Sequence, residues 1–126
     1  MSPVSKTIVL VEDEQVLQKA LSIELLDSGC TVLSASDGQA GLALIRKEKP
    51  SLVLLDIMLP KMNGFDVLAA MKTDVSLKNI PVIILSNASQ EEERAKGMKL
   101  GALDYYVKSS TDLTELTKKI KTLVGS

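Results

Sequence analysis

Asp56 stands inside LVLLDIMLP (52–60), the most apolar stretch of the chain. A charge there is costly unless it is exposed at the end of an element or paired. Four other groups follow apolar runs in the same way: Glu12 and Asp13 after TIVLV (7–11), Ser86 after IPVIIL (80–85), and Lys108 after LDYYV (103–107). Were these run-ends to converge, they would bring together three acids, a hydroxyl and an ammonium. Clustered carboxylates repel one another and need a cation, and oxygen ligands with open water positions suit Mg²⁺. A metal-bound carboxylate beside a lysine and a hydroxyl is equipped for phosphoryl transfer. The carboxylate attacks phosphorus in line, while the metal and the ammonium neutralise the equatorial oxygens. The product would be an acyl phosphate on Asp56.

Each residue also has a plainer reading. Asp13 alone reads as a helix cap, Asp56 as a turn former ahead of Pro60, Ser86 as a loop hydroxyl and Lys108 as a solvated surface lysine. Met58 and Leu59 alone read as packing. Singly, the plain readings win. Together, at the ends of four apolar runs, they do not.

The elements that must position these groups are legible in the patterning. With CTVLSA (30–35) and SLVLL (51–55) there are five short runs rich in Val, Ile and Leu. Most are continuous rather than alternating, as parallel strands covered on both faces are. Helical spacing fills the gaps. Val16, Leu17, Ala20, Leu21 and Leu25 follow an N-cap expected at Asp13, with Gly29 in the C-terminal left-handed position. Ala40, Ala43, Leu44 and Lys47 mark a second helix ending before Pro50. Phe65, Leu68, Ala69 and Lys72 mark a third after Gly64. Ser89-Gln90-Glu91-Glu92 has capping-box spacing and opens a fourth, closing near Gly97 or Gly101. Leu113, Leu116, Ile120 and Leu123 mark a fifth. Strand–helix repeated five times predicts an α/β doubly wound sandwich. Ligands of such sheets bind outside the carboxyl ends of the strands, and strand order 2-1-3-4-5 brings the ends named above to that edge.

Composition narrows the function classes. The 126 residues suit one domain, read as 1–126 with a core of about 6–124 and an aliphatic interior, since there are two Tyr, one Phe and no Trp. Fifteen basic against sixteen acidic residues give no argument for direct nucleic-acid or membrane binding. One cysteine, Cys30, and no signal-peptide pattern make a cytoplasmic protein the expectation. There is no histidine, so a phosphohistidine must belong to a partner.

The combination of VEDE (11–14), LLDIMLPKMNG (54–64), LSNA (85–88) and GALDYYVK (101–108) resembles the receiver domain of two-component response regulators, of the chemotaxis-regulator type, over Lys6 to about Val124. The resemblance implies a flavodoxin-like (βα)5 sandwich with a five-stranded parallel sheet. It implies Asp56 as phosphoacceptor, with Glu12, Asp13, Asp56 and the backbone carbonyl of Met58 holding Mg²⁺ or Mn²⁺. Ser86 and Lys108 would contact the phosphoryl group, and Ser86 with Tyr105 would form the switch that remodels the face built from the fourth helix, fifth strand and fifth helix. Tyr106 is expected to face the other way, and Pro60 and Gly64 fit the loop after the acceptor. The implied partners are a sensor histidine kinase or a histidine phosphotransfer protein, and downstream a protein or an output domain absent from this chain. Such a domain is a signalling switch that promotes only its own phosphorylation and dephosphorylation.

Three positions depart from the family pattern. Ser86 stands where threonine is common, and Asn87 where a small residue is common. Ser109 follows Lys108 where the family has proline in a cis peptide. A cis bond before a non-proline residue costs roughly 2.5–4 kcal/mol, so the sequence leaves a strained cis and a trans peptide both open. Among competing readings, a phosphate-independent receiver-like interaction module would lack one of the key residues. A haloacid dehalogenase-type phosphatase needs an aspartate where Met58 stands. A flavodoxin-like cofactor binder needs a hydroxyl- and glycine-rich loop where Glu12-Asp13-Glu14 stand.

Overall fold

The computed structural model describes residues 6–87 and 91–124. Strands β1 (Thr7–Val11), β2 (Thr31–Ala35), β3 (Leu52–Leu55), β4 (Val82–Ser86) and β5 (Asp104–Val107) alternate with helices α1 (Gln15–Asp27), α2 (Gly38–Glu48), α3 (Gly64–Lys72), α4 (Glu91–Lys99) and α5 (Leu113–Val124). All pairings are parallel and the order is β2-β1-β3-β4-β5. This is the doubly wound α/β sandwich the patterning predicts. The continuous apolar runs have their cause here: β3 and β4 are buried along their whole length, because helices cover both faces.

Alternate residues of the strands feed two cores. Val9, Val11, Val53, Leu55, Ile84 and Tyr105 pack on one side with Ile45, Phe65 and Met71. Ile8, Leu10, Leu54, Ile83 and Leu85 pack on the other with Leu21, Leu25, Leu116 and Ile120. Tyr106 packs against this second cluster, so it does face away from Tyr105.

Several local expectations need correction. The N-cap of α1 is Glu14, not Asp13, and it makes no side-chain capping bond. Val16 is 87% exposed rather than core. In α2 the helix is as expected, but the buried stripe is Gly41, Leu42 and Ile45, while Ala40, Ala43 and Lys47 face solvent. Alanine is small enough to suit either face, so it misleads a periodicity argument; the close approach of Gly41 to β1 decides it, since a Cβ there would lie 2.7 Å from a Val11 methyl. Gly97 lies inside α4 and Gly101 follows it at φ 104°. Ser89 and Gln90 of the expected capping box lie outside the described residues. Gly29, at φ 89°, takes the left-handed position just past α1 as expected.

Candidate functional site

The site is built at the carboxyl edge of the sheet, where β1, β3, β4 and β5 end side by side. Each strand delivers its next residue to the same place. Glu12 and Asp13 leave β1, Asp56 leaves β3, Ser86 ends β4 and Lys108 leaves β5. Carboxylate oxygens of Glu12, Asp13 and Asp56 all lie within 4.8 Å of one another. Glu12 and Asp56 are 1% and 4% exposed, whereas Asp13 is open to solvent.

Lys108 supplies the counter-charge. Its ammonium is 2.8 Å from Glu12 Oε1 and 3.0 Å from Asp56 Oδ2, and its side chain is 7% exposed. Burial lowers the lysine pKa, but hydrogen bonds to Glu12 and Asp56 outweigh it and the net shift is upward. Burial pushes the Glu12 carboxyl up to about 7, against the opposing pull of Lys108 and the Glu14 amide. The opening apolar stretch thus has its answer: Asp56 is buried, and it is paired.

The acceptor loop is held from below. Asp56 Oδ1 accepts from the Ile57 amide at 2.7 Å. The Gly64 amide donates to Ile57 O at 2.8 Å, and a Cβ on Gly64 would lie 2.1 Å from Asp56 O. Only glycine permits that approach. Pro60 O accepts from Gly38 and Met62 amides, tying the loop to the start of α2. Met58 is 73% exposed at the rim, not packed. Ser109 takes the trans alternative: no cis peptide occurs among the described residues, and Lys108–Ser110 form a 3-10 turn.

Ser86 is fully buried, and its hydroxyl acts on the Tyr105 phenol. Tyr105 is 2% exposed, and burial raises its pKa against the opposing pull of the Ser86 hydroxyl. Arg94 of α4 donates to Tyr105 O at 3.3 Å, and its guanidinium carbon lies 5.9 Å from the ring centroid. The hydroxyl and the aromatic ring are both buried, so the ring is turned inward.

Sequence reasoning missed two contributors. Glu14 Oε1 is a further carboxylate oxygen on Lys108, at 3.4 Å. The run of three acids Glu12-Asp13-Glu14 at the exit of β1 is the signal that could have found it. Gln18 donates to Glu12 O at 2.8 Å from the first turn of α1, a link that spacing alone does not reveal.

Residues 8–121 match the family model of the response regulator receiver domain. The chain belongs to this family. PilH of Pseudomonas aeruginosa is 36% identical over 94% of this receiver domain and 98% of its own length. The "Probable transcriptional regulator ycf27" of Porphyridium aerugineum is 33% identical over 93% of this chain and 47% of its own; the receiver domain spans about half the length of that curated relative. Among solved structures, the phosphorylated cyanobacterial phytochrome response regulator RcpA superposes with a TM-score of 0.89 at 33% identity, covering 98% of this chain and 96% of that one. The Mn²⁺-bound form of response regulator Rcp1 gives 0.81 at 31% identity, covering 93% and 92%. Receiver domains are signalling switches of two-component systems, and they bind Mg²⁺ or Mn²⁺ at an acidic pocket. In this receiver domain the donors fit such an ion: all are oxygens, and their span approaches the roughly 4 Å between opposite ligands at about 2.1 Å from a metal. No described helix is long and apolar enough to cross a membrane.

Proposed function

We propose that this receiver domain, acting as one unit across its length, accepts a phosphoryl group on Asp56 from a partner phosphohistidine. The observation that carries the reading is Lys108 Nζ at 3.0 Å from Asp56 Oδ2 beside two further acids. Asp56 Oδ attacks phosphorus, the P–N bond to imidazole breaks, and the imidazole leaves with the bond's electron pair. The partner is a sensor histidine kinase or a histidine phosphotransfer protein, since this chain holds no histidine.

Glu12, Asp13, Asp56 and the Met58 carbonyl would hold Mg²⁺ or Mn²⁺, which supplies charge neutralisation on the phosphoryl oxygens. Lys108 orients Asp56 beforehand and neutralises charge that develops during transfer. Ser86, buried like Tyr105, is the group through which a phosphoryl oxygen would act on the aromatic ring. Its movement would alter the α4–β5–α5 face, where Arg94 touches Tyr105, for a downstream protein or an output domain. Hydrolysis of the acyl phosphate at the same site resets the switch. These reactions take place in the cytoplasm.

Intact mass after incubation with acetyl phosphate and Mg²⁺ tests the reading. Wild type gains one phosphoryl group, Asp56→Asn gains none, and chelator removes the gain. No gain in wild type, under conditions that phosphorylate a control receiver, would leave the phosphate-independent interaction module as the better account.

A further inference from the structure

A single oxygen ties three loops together over the acceptor. Glu14 Oε1, in the segment after β1, accepts from Asn87 Nδ2 after β4 at 3.3 Å. The same oxygen lies 3.4 Å from Lys108 Nζ after β5. Glu14 does structural work through its backbone, whose amide donates to Glu12 Oε2 at 2.9 Å and whose carbonyl accepts from the Gln18 amide at 2.9 Å, but not through its carboxylate. It is the N-cap of α1, yet its side chain makes no capping bond, and the side chain is 51% exposed.

We propose that Glu14 and Asn87 form a latch across the mouth of the acceptor cleft, with Glu14 a positioning residue that restrains Lys108 and slows phosphoryl entry. The proposal rests on the phosphoacceptor reading of Asp56. An ammonium has three N–H donors. Glu12 and Asp56 engage two of them, and Glu14 faces the third. A phosphoryl group on Asp56 needs those donors, and it brings negative charge toward the Glu14 carboxylate. Glu14 must therefore yield as the group arrives. Asn87 opposes this by holding the carboxylate in place with a neutral amide, so its effect acts through the charge of Glu14.

A like charge at this range, in a half-hydrated site, is worth roughly three- to ten-fold in rate, and salt weakens it. The experiment is the initial rate of phosphoryl gain, read by intact mass, with acetyl phosphate and saturating Mg²⁺ at low and high potassium chloride. Glu14→Gln keeps the shape and removes the charge. It gains phosphoryl groups roughly three- to ten-fold faster than wild type at low salt, and the advantage shrinks at high salt. Asn87→Ala accelerates by less, and the double variant is no faster than Glu14→Gln alone. Melting temperatures of all variants stay near wild type, which separates the effect from a structural one.

Equal or slower phosphorylation of Glu14→Gln at both salts would overturn the latch while leaving Asp56 as acceptor. Multiplying effects of the two substitutions would overturn it as well. A wild type that gains nothing, beside a control receiver that does, would overturn the proposed function and the latch together.

Discussion

Lys108 Nζ reaches Asp56 Oδ2 at 3.0 Å although their strands, β5 and β3, are separated by β4. Two strand spacings amount to roughly 9.6 Å. The lysine stem and the aspartate side chain close that gap between them, with the ammonium sheltered among carboxylates. The pair is therefore a product of sheet order, and its strength depends on burial.

Lys108→Met removes the cation and leaves Glu12 and Asp56 buried without it. Breaking a buried pair on one side costs about 3–5 kcal/mol. Urea unfolding in EDTA should show a loss of that order, and Mg²⁺ should restore part of it by supplying another cation. A variant as stable as wild type, or one indifferent to Mg²⁺, would argue that the carboxylates share no cation.

Glu12 sets a pH dependence. Burial lifts its carboxyl from 4.5 to about 7. Between these values the folded chain binds a proton that the unfolded chain releases, so stability falls as pH rises through that window. The effect is on the order of 3 kcal/mol in the absence of metal. The raised pKa of Lys108 does not oppose it there, because its stabilisation is complete below the ordinary 10.5 and is lost only above it. Denaturant titrations from acid to neutral pH should show the decline in wild type and a flatter profile in Glu12→Gln. Equal slopes would remove Glu12 as the source.

Gly64→Ala would press a Cβ to 2.1 Å from Asp56 O and 2.8 Å from Ile57 Cα. Both contacts are backbone, which cannot step aside as a side chain can. Overpacking of this kind costs about 1–3 kcal/mol, or several degrees in melting temperature at this chain length. Unlike a surface substitution, it should also displace the acceptor loop, read as shifted Asp56 and Ile57 amide resonances.

The Ser86 hydroxyl pulls the Tyr105 phenol pKa down against the effect of burial. In a double-mutant cycle, Ser86→Ala and Tyr105→Phe should couple by about 0.5–1.5 kcal/mol. The phenol should also titrate above its ordinary 10.0 because it is buried. The difference in ultraviolet titration between wild type and Tyr105→Phe should show the Tyr105 phenol ionising above that value. Additive effects and an ordinary phenol pKa would show the two side chains to be independent in solution.

Strand and helix order, the parallel sheet and the residues at its carboxyl edge were legible in the sequence. Continuous Val-Ile-Leu runs mark doubly covered strands, and the polar residue after each run marks its exit. Asp56, Ser86 and Lys108 needed nothing more to be singled out. Other features were settled only in three dimensions. The buried stripe of α2 was not legible because alanine suits either face, and Gly41 against Val11 settles it. The N-cap moved from Asp13 to Glu14, whose extended backbone (φ −77°, ψ 105°) directly precedes the first helical residue, Gln15. The inward Tyr105 and the Glu14–Asn87 contact depend on distances between segments far apart in the chain, whereas the trans Lys108–Ser109 peptide is the local default before a non-proline residue. Local pattern fixes which way a side chain leaves its own strand or helix. Which partner it meets is decided by packing between strands, and that exists only once the sheet has closed.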